Sequence, residues 1–200
     1  MGMGVIIAIV FIVLIIGSVG LIISIYNKLT TLAERHKNAF SQIEVQLQRR
    51  YDLIPNLVET VKAYMKHEQQ TLTAVIEARN VALGGLKAAS ASPGNPQAIK
   101  QLAQAESGLR SALGQLSVVV EKYPELKADS QTSALFEELT STENKVSFAR
   151  QAFNDAVTSY NIYKKTFPPV IIASMTGHTS DGVLLEFDSV QIKEAPKVSF

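Results

Sequence analysis

The chain has no cysteine among its 200 residues, which excludes disulfides, thiolate metal sites and cysteine nucleophiles and fits a reducing compartment. It also lacks any block of like charge: 19 basic and 18 acidic residues leave a net charge of +1, without the basic footprint of a nucleic-acid binder. His67 and Glu68 open the string HEQQT, but the second histidine that a zinc-binding helix carries four residues on is missing. His67 therefore reads as an exposed helical histidine. His36 and His178 have no metal partner nearby in sequence. The stretch GGLKAAS, residues 84 to 90, lacks the first glycine of a phosphate loop and the strand that precedes one. It reads as the end of an Ala/Gly-rich helix, weakened by about 1 kcal/mol per glycine relative to alanine. The serines stand in no nucleophile-elbow motif and beside no positioned base. No catalytic residue, cofactor or metal ligand is expected, so the protein reads as a non-enzyme.

Charge is missing altogether from Val5 to Ile25, a run of 21 residues reading VIIAIVFIVLIIGSVGLIISI. At 1.5 Å per residue it covers the roughly 30 Å of a bilayer's hydrocarbon. A cleaved signal peptide would need a basic leader, a shorter apolar stretch and a small-x-small cleavage site, and none is present. The expectation is a transmembrane helix over 5–25, preceded by a short non-cytoplasmic segment, 1–4. Lys28, Arg35 and Lys37 follow the run with a single Glu34 among them, which by the positive-inside rule puts the C-terminal side in the cytoplasm. Tyr26, Lys28, Arg35 and Lys37 are the expected membrane-interface residues, tyrosine at the headgroup level and the cations on anionic lipid. Gly17 and Gly20 offer small residues in the span but not the G-x-x-x-G spacing.

Beyond the run, Leu29, Leu32, His36, Phe40, Ile43, Leu47, Tyr51, Ile54, Val58, Val61 and Met65 recur in steps of three and four. This is a coiled-coil-like seam that continues the span directly into an amphipathic helix. A second helical stretch, about Glu68 to Ala89, follows with no breaker between, so the two read equally as one rod. SASPGNP, residues 90 to 96, is the clearest loop. A third helix runs from Pro96 to about Glu121. KYPELKADS breaks it, and a fourth helix, capped by Asp129 or Ser130, extends to about Lys165, where Phe167-Pro168-Pro169 ends it. In the remaining 168–200, VIIASM, VLLEF, VQI and KVSF are β-branched and separated by turn residues, predicting short strands or an extended tail able to pair with a neighbouring chain.

The strings NAFSQIEVQLQRRYDLIPNLVETVK from Asn38, EARN from Glu77, ENKVSFARQAFN from Glu143, SYN from Ser159 and the terminal PKVSF resemble the LemA family. The resemblance runs over essentially the whole chain after the apolar run. It implies a bacterial single-pass membrane protein with an antiparallel helical bundle over 26–167 and no established enzymatic activity. Genes of the family often neighbour one for an HtpX-type membrane metalloprotease, which implies such a protease as a partner in envelope quality control.

Within that fold class, mainly α with three to four long helices and a β-prone tail, the seam carries charge. Arg49, Arg50, Asp52 and Asn56 flank the first helix's seam, while Glu143, Arg150 and Asn154 lie on or beside the last one's. Antiparallel packing brings the two sets face to face as a structural polar layer whose benefit is register. Pro55 has no N–H to give the Tyr51 carbonyl, so a helix kink is expected there, with a nearby Arg or Asn side chain satisfying the freed oxygen. The expected role is a self-associating scaffold that organises or shapes membrane, its partners being lipids and further copies of itself. The alternative is an adaptor for a membrane enzyme such as the protease.

Overall fold

The computed structural model describes residues 2–187. Its helices are α1 (Met3–Lys62), α2 (Gln69–Ala91), α3 (Pro96–Val120), α4 (Pro124–Ala128), α5 (Ser130–Lys165) and α6 (Pro169–Met175). The apolar run and the seam are one continuous helix of 60 residues, about 90 Å long at the standard rise. Every residue from Gly2 to Ser24 is exposed and Ile25 is the first buried one. This half of α1 is long and apolar enough to cross a membrane, and Ser18, the hydroxyl near its middle, is satisfied by the Leu14 carbonyl at 2.8 Å.

From Leu29 on, α1 buries one side chain every three or four residues, and α5 packs along it. Arg49 meets Glu138 while His36 meets Tyr160, so the numbers run in opposite directions and the pair is antiparallel. Helices α2 and α3 form a hairpin on this pair. They pack closely at Gly85, where a Cβ would sit 3.3 Å from the Leu102 Cα. Asn95 caps α3 through the amides of Gln97 and Ala98, with Pro96 at the first helical position. Asp129 caps α5 through the Thr132 amide at 2.7 Å. One core runs from Phe40 through Leu57, Leu102 and Phe153 to Leu185 and Phe187, and a smaller cluster of Ile25, Leu29, Leu32, Tyr160 and Ala173 sits where the apolar run ends.

Three expectations need correction. Helices α1 and α2 are not one rod: the chain turns at residues 63–68 around buried Met65. Neither proline nor glycine marks this turn. Burial drives it, because a straight rod would leave Leu72, Val75, Ala82 and Leu86 in water instead of in the core. The segment KYPELKADS, read as a plain break, holds the short helix α4, anchored by fully buried Leu126.

The third correction concerns the tail, where no strand forms among the described residues. VIIASM lies in α6, since Pro169 starts the helix and Pro169 and Ala173, four residues apart, share the face that is buried. VLLEF is extended but has no strand partner. Asn154 accepts from the Leu185 amide at 2.9 Å and donates to the Leu185 carbonyl, and Asn161 does the same for Gly182. Two α5 side-chain amides thus replace a neighbouring strand, while Leu185 and Phe187 alternate into the core. VQI and KVSF lie outside the described residues.

Candidate functional site

Glu106, on the inner face of α3, is the most enclosed charge of the bundle, with 1% of its side chain exposed. Arg50 of α1 reaches it with Nη1 at 3.0 Å from Oε2, and the neighbouring Tyr51 hydroxyl donates to Oε1. Both carboxylate oxygens are occupied. The second Arg50 nitrogen points to Glu143 of α5 at 3.6 Å, and Glu143 in turn accepts from Arg110 of α3 at 2.6 Å. The chain of charge runs from a fully buried pair to a half-exposed carboxylate at the rim, tying α1, α3 and α5 together.

The fourth long helix joins through the backbone. Pro55 leaves the Tyr51 carbonyl without its intrahelical donor, and Arg79 of α2 supplies one, its Nε lying 3.0 Å from that oxygen. Arg79 also points toward Asp52 at 4.0 Å, which holds Gln48 at 2.8 Å. RRYDLIPN is therefore the place where α1 offers a guanidinium, a phenol and a free carbonyl to three different helices.

Burial pushes the Glu106 carboxyl above the usual carboxylate range, while the Arg50 charge and the Tyr51 hydrogen bond pull it back. Burial, then the adjacent carboxylate, push the Tyr51 phenol up, so it stays a donor at any working pH. Such a site holds helices together, Glu106 being all but closed to solvent. Among the described residues no three His, Asp or Glu side chains converge as a metal site requires.

The other sequence-derived residues lie apart from this node. Arg49 pairs with Glu138 at 2.5 Å on the surface, and Asn56 is exposed. Arg150 does not join the layer; its guanidinium stacks over the Phe187 ring, 4.7 Å from the centroid. Asn154 holds the tail backbone instead. Both sit two to three turns beyond Glu143 on α5, too far along the helix axis to face Arg50. Tyr26, Lys28, Arg35 and Lys37 are all exposed, with Lys37 on Glu34 at 2.7 Å and the Tyr26 ring edge-on to His178.

Sequence reasoning missed Glu106. The α3 seam steps from Leu102 to Leu109, and the absent intermediate position, four from one and three from the other, is Glu106: a charge filling a core slot was its signal. Also missed was the cluster around His36, which packs between Phe153 and Tyr160, while the Tyr160 hydroxyl meets His178 Nδ1 at 3.1 Å.

The LemA family model matches residues 39–200. The chain belongs to the LemA family. It is also similar to the magnetosome protein MamQ 2 of Paramagnetospirillum magneticum, 26% identical over 167 residues that cover 76% of this chain and 61% of the relative. MamQ of Magnetospirillum gryphiswaldense is 25% identical over the same coverage. The chain thus spans about 61% of the length of the curated relatives it matches. The family match takes in α2 to α6 and α1 from residue 39 on, and so the whole charged node.

Two measurements check this geometry. Arg50→Ala or Glu106→Ala, each stranding a buried partner, should cost about 3–5 kcal/mol, read as a large drop in the thermal midpoint of the full chain in detergent, whereas Glu59→Ala at the surface should change it little; equal effects would refute the node. Burial also holds the His36 imidazole below its ordinary value, so its contribution is complete above about pH 6.5 and is lost as pH falls below that toward the lower folded value. Between about pH 7.5 and about pH 5.5 the wild type should therefore lose more stability than His36→Leu, with the opposite slope of Glu106 common to both proteins. Parallel pH profiles would contradict it.

Proposed function

We propose that the protein is a non-enzymatic, single-pass bacterial membrane protein whose bundle, on the cytoplasmic side, self-associates to organise or shape a patch of membrane. The observation that carries this reading is the unbroken α1: the apolar half and the bundle half are one helix, so there is no hinge between anchor and bundle. A bundle fixed rigidly to its span imposes its own packing angle on the lipid when copies assemble. A flexible tether would transmit nothing.

Apolar surface outside the span supports assembly between copies. Phe148 stands 73% exposed on α5, one turn from Asn144 and in line with exposed Thr140 and half-buried Phe136. Fully burying one such ring is worth about 1.5–3 kcal/mol, and repeated around a closed assembly it adds at every contact. The relatives are named as magnetosome proteins, which agrees with a role at an organised cellular structure.

The test is the mass and shape of the full chain extracted in native lipid, by light scattering and particle imaging. A large closed assembly that shrinks in Phe148→Ser is expected. A monomer or dimer would reject scaffolding, and co-purification of a membrane metalloprotease with that small species would support the adaptor reading instead. The tail's part in assembly is best tested by ending the chain after Phe187, because a cut at Phe167 would also remove Leu185 and Phe187 from the core.

A further inference from the structure

Helix α6 buries only Pro169 and Ala173. Ile172 is partly covered, but the other apolar side chains on the helix and Phe167 just before it face outward: Phe167 is 80% exposed, Val170 43%, Ile171 50% and Met175 77%. Four exposed apolar side chains within nine residues are costly in water, and no Asp, Glu, Lys or Arg interrupts the chain from Thr166 to Ser180. Charges bracket this neutral stretch, Lys164 and Lys165 on one side and Asp181 on the other, and they pair with each other at 2.5 Å.

The position of the patch says what covers it. Ala173 and Ile172 of α6 pack with Ile25, Leu29 and Leu32 of α1, and the apolar run ends at Ile25. Leu29 lies about 6 Å further along the helix axis, while headgroups extend a bilayer roughly 5–7 Å beyond its hydrocarbon on each side. The tail also reaches the first residue past the span, His178 lying edge-on to Tyr26 with ring centroids 6.5 Å apart.

We propose that α6 is a second membrane contact, a short interfacial helix whose Val170, Ile171 and Met175, with Phe167 just before it, enter the headgroup and upper acyl region of the leaflet from which α1 emerges. Resting on the reading of 5–25 as a span, this makes the protein a two-point attachment in which lipid covers a surface that water would not tolerate. A soluble partner on the same surface would have to displace the lipid packed beside Ile22 and Tyr26, both of which are themselves exposed. Two separated contacts on one leaflet fix the tilt of the bundle, and the span alone leaves it free to rotate about its axis.

The absence of cysteine allows single labels. Ile15→Cys, Ile171→Cys, Met175→Cys and Val81→Cys, each carrying an environment-sensitive fluorophore, would be made in the full chain and reconstituted in phosphatidylcholine/phosphatidylglycerol vesicles with nitroxide lipids that quench either near the headgroup or at the chain end. The expected result is blue-shifted emission at positions 171 and 175 with loss of most intensity to the shallow quencher, strong loss at 15 to the deep one, and none at 81. Quenching at 15 without quenching at 171 and 175 would overturn the α6 contact and leave the span standing. No quenching at 15 would overturn the span and this inference with it. Self-quenching among labels at 171 without lipid quenching would assign the face to a second copy and overturn the proposal as well.

Discussion

Taking a carboxylate and a guanidinium out of water costs several kcal/mol for each, and Arg50 and Glu106 meet where almost no solvent reaches either. The bundle is arranged around that cost. Glu106 is tolerated because α1 delivers two donors to it from adjacent residues, and that requires α1 and α3 to be in one rotational and axial setting. A shift of α1 by one turn would leave the carboxylate against Leu47 or Ile54, both fully buried apolar residues. The pair adds little net stability compared with apolar replacements; it makes every other register expensive.

Pro55 belongs to the same constraint. A proline inside a helix removes one hydrogen bond and strands a carbonyl, here on Tyr51, the residue whose hydroxyl serves Glu106. Arg79 closes that gap. Helices α1, α2, α3 and α5 are therefore all referenced to one turn of α1, and because α1 is continuous with the apolar run, the same register sets how the bundle stands on that run. At the other end of the seam, His36, Tyr160 and the tail around His178 form the junction between the bundle and the apolar run, with the α6 surface beside it.

The long helices were legible in the sequence because their three-four periodicity, the Pro96 start, the Asp129 cap and the Pro-Pro stop are local signals. The turn at residues 63–68 was not, because its cause is the burial of α2's apolar face against a seam far away in sequence. The tail misled for a related reason: β-branched VIIASM has strand propensity, yet Pro169 and Ala173 find a helical docking site on α1 and α5, and VLLEF extends against asparagine side chains that no strand pattern announces. In the charged node, Arg50 and Pro55 stood out as anomalies beside an apolar seam, whereas Tyr51 read as an ordinary seam residue. Glu106 was visible only as a missing step in α3, and its pairing with Arg50 is a long-range fact that periodicity does not carry. Arg150 and Asn154 were placed on the right seam but opposite the wrong partners, since a one-dimensional pattern gives the face of a helix and leaves its axial alignment undetermined.

The claim that the buried charges select register is tested most directly by making the node apolar and measuring the alignment of the helices. In the triple variant Arg50→Leu, Tyr51→Phe, Glu106→Leu, with spin labels on cysteines introduced at the exposed positions Val45 of α1 and Val118 of α3, the distance distribution from pulsed dipolar spectroscopy is the readout. The account predicts a protein about as stable as the wild type whose single narrow distance gives way to a broad or multiple distribution. A single narrow distance unchanged from the wild type would show that apolar packing alone sets the register and would contradict it.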